Sequence, residues 1–415
     1  MNPTQSPIPS LTLKPGKEKS LKRRHPWVYS QGIAAIKGMP NKSEPASGQT
    51  VKVLAADGSF LAWAAYSPHS QIRARVWSFE AEAKIDAAWL HTQLHAAIQR
   101  RAHLRNRSSA LRLVFGEADG LPGLVVDQYG DWLSIQLLAA GVDAWRQEIV
   151  AALVAITGCT QVYERSDAAV RQREGLPSIK GVVHGDALGN LSAMPTAVAV
   201  QEDGVLYQVD IVNGHKTGFY VDQRDNRKLV ADLVQRIGPQ ASVLNCFCYT
   251  GGFSLAALKA GAGEVVSVDS SADALTIAAA QATLNGIPAA HADWRCADVF
   301  EQLKQLQAEG KQFDIVILDP PKFAPSSHHV EKAARAYKEI NLKGLRLMKP
   351  GGYLLTFSCS GAIDVDLFQK IIAGAVVDSH TDAQLLQRLA AGEDHPMRMT
   401  HPEGEYLKGL LLQKV

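Results

Sequence analysis

The chain lacks an excess of either charge: 43 Lys and Arg face 41 Asp and Glu over 415 residues, a formal net of +2. That balance says little about partners and leaves any nucleic-acid surface to local clustering. Cysteine is scarce. The five, at 159, 246, 248, 296 and 359, are odd in number and unevenly spread, which argues against a disulfide framework and for a reducing compartment. No run approaches the ~18 uninterrupted apolar residues of a membrane span. The stretch Met1–Ser10 is polar and proline-rich, without the apolar core of a secretory leader. A cytoplasmic protein with no membrane partner is expected. There is no internal repeat at a solenoid period. What is present is ordinary globular composition, 46% apolar and 20% charged, in a chain long enough for two or three domains.

Leu11 to about Phe79 reads as a small β-rich unit, with short runs at Val51–Ala55, Phe60–Ala64 and Ile72–Trp77. Ahead of them Lys14–His25 carries six Lys/Arg against one Glu and leads into the aromatics Trp27 and Tyr29. Such a cluster is either a solvated positive face or a phosphate-binding edge with a stacking partner. Gly38–Gly48 is a loop, and Ile85–Leu104 has a helical pattern. Strands at Leu111–Phe115, Leu124–Asp127, Trp132–Leu138 and Gln161–Glu164, with a helix at Val142–Ile156, make an α+β module. Gly175–Met194 reads as an irregular linker. From Val198 strands alternate with helices, the signature of a parallel α/β sheet. Strands are expected at Val205–Asp210, Ser242–Cys246, Glu264–Asp269, Ala292–Cys296, Phe313–Asp319, Gly352–Ser358, Ala375–Asp378 and Lys408–Gln413, a sheet of about seven. The expected domains are 1–79, 80–190 and 191–415.

Two strand ends carry chemistry. Phe313–Leu318 stops at Asp319-Pro320-Pro321, and Tyr353–Phe357 stops at Ser358-Cys359-Ser360. An acid and a thiol would then share the carboxyl edge, where open α/β sheets bind ligands. Upstream, Val243–Phe253 is a strand, a loop ending in Gly251-Gly252 and a helix start; the next strand ends in Asp269, 17 residues after Gly252. Glycines admit close backbone approach, and an acid there can accept both ribose hydroxyls. The loop departs from G-x-G-x-x-G, which removes the usual pyrophosphate cradle. An adenosyl ligand without phosphates, S-adenosylmethionine, fits better, with Asp298 at the third strand's end as acceptor for the adenine amine. Cys246 and Cys248 have no second pair at zinc spacing; both, and Cys296, are expected to be buried apolar filling, and no metal is expected.

Asn245–Phe253, Val268-Asp269-Ser270, Asp319–Phe323 and Ser358–Ser360 together resemble the bacterial class I ribosomal RNA methyltransferases that make 5-methylcytosine in large-subunit RNA. Lys216–Asn226, Asp394–Pro396 and Pro402–Lys408 look familial too. Lys22–Ser30 and the strands after it look like a PUA domain, an RNA-binding β-barrel, and Gly116–Asp127 is similar to the family's central module. The resemblance implies a Rossmann-like C-terminal domain behind a PUA barrel and a small α+β module. It implies S-adenosylmethionine held by Gln223, Arg224, Asn245, Phe247, Tyr249, Thr250, Gly251, Asp269, Ser270, Asp298 and Asp319. It also implies large-subunit ribosomal RNA met by Lys22, Arg23 and Arg24, with a homodimer left open.

Carbon 5 of cytosine is too weak a nucleophile to be alkylated directly, and a thiolate adding at carbon 6 turns the ring into an enamine. Cys359 is the expected nucleophile; the cation that would keep it ionised is not legible. Asp319 would relieve charge near N3, Pro320 and Pro321 would wall the base, and Phe323 would stack on it. Asp319, His395, His401 and Glu403 are unranked candidates for removing the carbon 5 proton. Lys322 and Phe323 stand where a second cysteine follows the proline in another 5-methylcytosine pattern, so a two-cysteine route is unsupported. The rivals are a uridine carbon 5 or amino-nitrogen RNA methylase, and a non-catalytic RNA-binding assembly factor.

Overall fold

The computed structural model describes residues 8–39, 43–189, 194–324 and 327–415. Parts of the Met1–Ser10, Gly38–Gly48 and Gly175–Met194 readings lie outside the described residues. The chain forms two compact units. One comprises Met1–Val200, Gln208–Val221 and Asp394–Gly404; the other comprises Gln201–Tyr207, Asp222–Glu393 and Glu405–Val415.

The first unit holds two sheets. Six strands run in the order Trp27–Tyr29, Ile72–Ser78, Phe60–Tyr66, Thr50–Leu54, Ser10–Leu13 and Ile33–Lys37. Val51 and Val53 are buried on either side of Lys52, and Leu11, Val28, Ala62 and Tyr66 complete that core. The three strands absent from the sequence reading, Ser10–Leu13, Trp27–Tyr29 and Ile33–Lys37, have only three to five residues and lack a clear alternation. The second sheet runs Ile179–His184, Gln161–Ser166, Trp132–Leu137, Leu124–Tyr129 and Ala110–Phe115. Here a linker was expected, and Ile179–His184 is instead an edge strand, paired antiparallel with Gln161–Ser166. One side is open to water and its residues are half-buried or exposed, so it shows no apolar alternation. The expected helix over Val142–Ile156 breaks at Trp145 into Ala140–Ala144 and Arg146–Thr157.

The second unit is a single seven-stranded sheet flanked by helices. Its order is Ala292–Cys296, Glu264–Asp269, Ser242–Cys246, Phe313–Leu318, Met348–Ser358, Lys408–Lys414, Ala383–Ala390. The first five are parallel, and Lys408–Lys414 runs antiparallel to both its neighbours, Met348–Ser358 and Ala383–Ala390. Ile315–Leu318 are wholly buried, as an apolar run covered on both faces requires; each side chain contributes roughly 1.5–3 kcal/mol. Ala375–Asp378, expected as a strand, lies inside the helix Val365–Ser379. Phe368, Ile371, Ile372 and Ala375 are its buried face, a helical spacing that a short apolar run disguises. The helix Val299–Ala308 has no counterpart in the sequence reading, and Val205–Val209 pairs with Val198–Glu202 outside the large sheet. Chain order reverses between Ser242–Cys246 and Phe313–Leu318, the switch point where such sheets take ligands. Among the described residues no helix is long and apolar enough to cross a membrane.

Candidate active site

At the switch point the Ser242–Cys246 strand runs into a loop of unusual backbone. Phe247, Tyr249 and Gly251 have φ of 61°, 49° and 83°, so within five positions the chain visits the left-handed region three times. Two of the three are not glycine, which is uncommon and concentrates at functional sites. A Cβ on Gly251 would meet the Ala278 Cβ at 3.0 Å and the Trp294 ring at 3.1 Å, so glycine is required there. The turn is anchored from below: Asn245 Nδ2 donates to Ser254 Oγ at 2.8 Å, and Ser254 Oγ meets Ser267 Oγ at 2.8 Å.

Asp269 ends the neighbouring strand. One carboxylate oxygen accepts from the Tyr249 N–H at 2.8 Å and the other from the Ser271 N–H at 2.9 Å. A carboxylate has about four lone-pair sites, so two remain for a vicinal diol. Gln223 Nε2 donates to Asp319 Oδ2 at 2.9 Å, bringing the helix start at Gln223-Arg224 to the same edge. The buried Asn245 Oδ1 has no partner. A sharply turned cradle, a half-exposed acid with spare acceptor capacity and an unused buried oxygen fit an adenosyl ligand carrying an amino-acid tail. Thr250 is buried and Ser270 exposed beside this loop.

Asp298 is committed elsewhere in part: it caps the helix Val299–Ala308, accepting from the Glu301 N–H at 3.1 Å. Asp298→Ala should therefore destabilise the protein by about 1 kcal/mol through the lost cap, read by urea unfolding. A simultaneous loss of S-adenosylhomocysteine affinity would show that the carboxylate also meets the ligand.

The acid and thiol loops are joined. Leu318 pairs with Thr356 in the parallel register, so Asp319 and Cys359 leave adjacent strand ends. Ser360 fastens them: its Oγ accepts from the Ala324 N–H at 3.1 Å and lies 3.0 Å from Tyr337 Oη. Ser358 Oγ donates to the same Tyr337 oxygen at 3.0 Å. Lys408 Nζ donates to the Ser360 carbonyl at 3.0 Å while its side chain is almost wholly buried. Burial pushes the Lys408 ammonium down, and the charge of Cys359 is the largest influence acting the other way. The roles of Tyr337, Ser360 and Lys408 were not legible in the sequence, although Ser360 stands in the strand-end motif beside Cys359. Lys408 ends the family-like segment Pro402–Lys408, yet nothing in its spacing marks it as acting on Cys359.

The remaining cysteines differ from one another. Cys246 and Cys248 are buried, and burial pushes both thiols far up. Cys296, expected to be buried filling, is instead exposed, because it ends the strand at one edge of the sheet. Phe323 was expected to stack on a base; its ring packs against Tyr337 at 4.9 Å and faces Phe247 and Phe300. Pro320 is buried, Pro321 exposed. His395, His401 and Glu403 belong to the first unit. There His395 Nδ1 meets Asp394 Oδ1 at 2.8 Å, the His401 ring lies 4.6 Å from Trp27, and Glu403 bonds His25 at 3.3 Å.

Residues 11–79 match the model of a PUA-like domain, and residues 112–396 match that of the S-adenosylmethionine-dependent methyltransferases. The chain is 46% identical over 404 residues to a protein of Shewanella denitrificans named ribosomal RNA large subunit methyltransferase I, covering 97% of this chain and 98% of that one. A protein of the same name from Aeromonas salmonicida is 46% identical over 406 residues, covering 97% and 98%. The fold is shared with a methyltransferase structure from Streptococcus mutans, at TM-score 0.79, 22% identity and coverage of 98% and 100%. It is shared too with a methyltransferase solved with S-adenosylhomocysteine, at TM-score 0.81, 23% identity and the same coverage. With its cradle, its acid-tipped strands and these matches, the chain belongs to the S-adenosylmethionine-dependent methyltransferase family and carries a PUA-like domain at its N-terminal end.

Proposed function

We propose that this enzyme methylates carbon 5 of a cytosine in large-subunit ribosomal RNA through a transient bond to Cys359. The observation that carries the reading is the clasp at Ser360, which ties the Asp319 loop to the Cys359 loop at the switch-point edge. The name borne by relatives of near-equal length supports the RNA substrate.

Bound S-adenosylmethionine supplies an electrophilic methyl group. The Cys359 thiolate forms a bond to carbon 6, and the displaced ring electrons make carbon 5 nucleophilic. A protonated Asp319, steadied by Gln223, gives its proton toward N3 as negative charge develops there, which leaves it a carboxylate for the later proton removal. Removal of the carbon 5 proton returns the electron pair to the ring and expels the thiolate; within the second unit Asp319 is the candidate base. Pro320 and Pro321 present no backbone donors and hold the wall rigid, with Phe323 behind it. A base reaches such a pocket only when splayed from its RNA stack.

Incubating the protein with labelled S-adenosylmethionine and large-subunit RNA, then identifying the labelled nucleoside, tests the reading. Labelled 5-methylcytidine is the expected product. 5-Methyluridine, an N-methylated purine or no RNA label would each overturn it. Lys22, Arg23 and Arg24 are the proposed RNA contacts. Their joint reversal to Glu should weaken RNA binding and flatten its salt dependence, measured by filter binding at several salt concentrations.

A further inference from the structure

Within the first unit a cleft of about 340 Å³ opens between the end of the Ile72–Ser78 strand and the helix Ala87–Gln99, large enough for a small ligand on the ~300–1,000 Å³ scale of such sites. Arg24, Arg100 and Arg398 line it with Phe79, Trp89 and Gln93. The Arg24 guanidinium lies over the Phe79 ring, 5.1 Å from its centroid, and touches Glu80 at 3.1 Å. Arg100 is held by Asp119 at 2.7 Å, and that carboxylate is shared with Arg101. Arg398 donates to the Glu117 carbonyl at 3.4 Å, and among the described residues it forms no ion pair with a carboxylate. The cleft is therefore positive and presents aromatic surface.

A second, independent feature points the same way. Arg24 ends a short helix in the left-handed conformation, with φ 65°. Its N–H returns to the Leu21 carbonyl at 2.8 Å and the His25 N–H to the Ser20 carbonyl at 3.0 Å. That is the Schellman ending, whose left-handed position normally goes to glycine. An arginine there breaks the local rule, and breaches of this kind gather where a side chain has a task.

We propose that this cleft holds one unstacked nucleotide of the RNA strand, other than the target base. The guanidinium-on-ring platform of Arg24 and Phe79 takes the base, and Arg398 and Arg100 take the phosphate. This rests on the RNA-substrate reading above, and positions the strand while the target base is splayed elsewhere.

The test uses the full-length protein and a fluorescent oligoribonucleotide of about ten uridines carrying one 2-aminopurine. Arg24→Gly relieves the backbone while deleting the platform, so melting temperature should hold or rise as affinity falls about tenfold. Arg398→Gln should reduce the salt slope of binding by about one. S-Adenosylhomocysteine affinity should be unchanged in both. Two variants that bind like wild type would overturn the site. Competition by free cytidine monophosphate as effective as the oligomer would overturn the strand assignment. An adverse fold effect in Arg24→Gly leaves Arg398→Gln to decide. Wild type that binds with these dependences yet labels no RNA would overturn the catalytic reading alone, and methylation with indifferent variants would overturn the cleft alone.

Discussion

Replacing Cys359 by Ala is expected to lower methyl transfer by on the order of 10³-fold or more, because it removes the covalent step rather than a contact. Cofactor binding should persist, since the cradle residues Tyr249, Gly251 and Asp269 are held by their own backbone bonds. The loop should persist too, for its clasp runs through Ser360 and Tyr337. No other cysteine can substitute: Cys159 belongs to the first unit, Cys159, Cys246 and Cys248 are buried with their thiols pushed up, and Cys296 ends the strand at one edge of the sheet. RNA substituted with 5-fluorocytosine should trap wild type as a complex that survives denaturing electrophoresis, because fluorine at carbon 5 cannot leave as a proton does. The alanine variant should trap nothing. Full turnover by Cys359→Ala, with S-adenosylhomocysteine affinity intact by calorimetry, would remove the thiol from the mechanism.

Neutralising Lys408 should be the next largest loss, about 10–100-fold near neutral pH, by analogy with thiols ionised by an adjacent cation. The groups acting on Lys408 are Cys359, Glu405, Asp364 and Lys322, and Tyr337 also feels the thiol. A cation near the sulfur favours thiolate over thiol, so the acid limb of the wild-type rate profile should lie at lower pH than that of Lys408→Met. The deficit of the variant should shrink as pH rises, because hydroxide then ionises the thiol unaided. Burial lowers the pKa of Lys408 itself, so its charge, and the benefit it confers, is present below that pKa and is lost as pH rises through it. Lys408→Arg should restore much of the rate by keeping the charge. A uniform loss with no displacement of the acid limb would reduce Lys408 to a tether for the Ser360 carbonyl.

Much of the second unit was legible because its strands are short apolar runs ending in acids. Phe313–Leu318 and Glu264–Asp269 can be read from residue type alone, and the loop between Asn245 and Gly251 announces itself by glycine and a following carboxylate. Edges were harder. Ile179–His184 pairs on one side only and so carries no strand pattern, and the true final edge, Ala383–Ala390, is largely exposed. The apolar run at Ala375 misled because four residues cannot distinguish a buried strand from one face of a helix.

The order of the apolar runs, their acidic tips and the thiol at Cys359 are properties of the linear chain; they were enough for the parallel core of the sheet and the cofactor, and the resemblance they carry was enough for the class of enzyme. Which groups surround the thiol is a matter of tertiary contact: Lys408 reaches Ser360 from 48 positions away, Ala324 from 36, Tyr337 from 23. The large sheet makes that meeting possible by pairing strands that are remote in sequence, while electrostatic influence falls with distance in space and takes no account of distance along the chain.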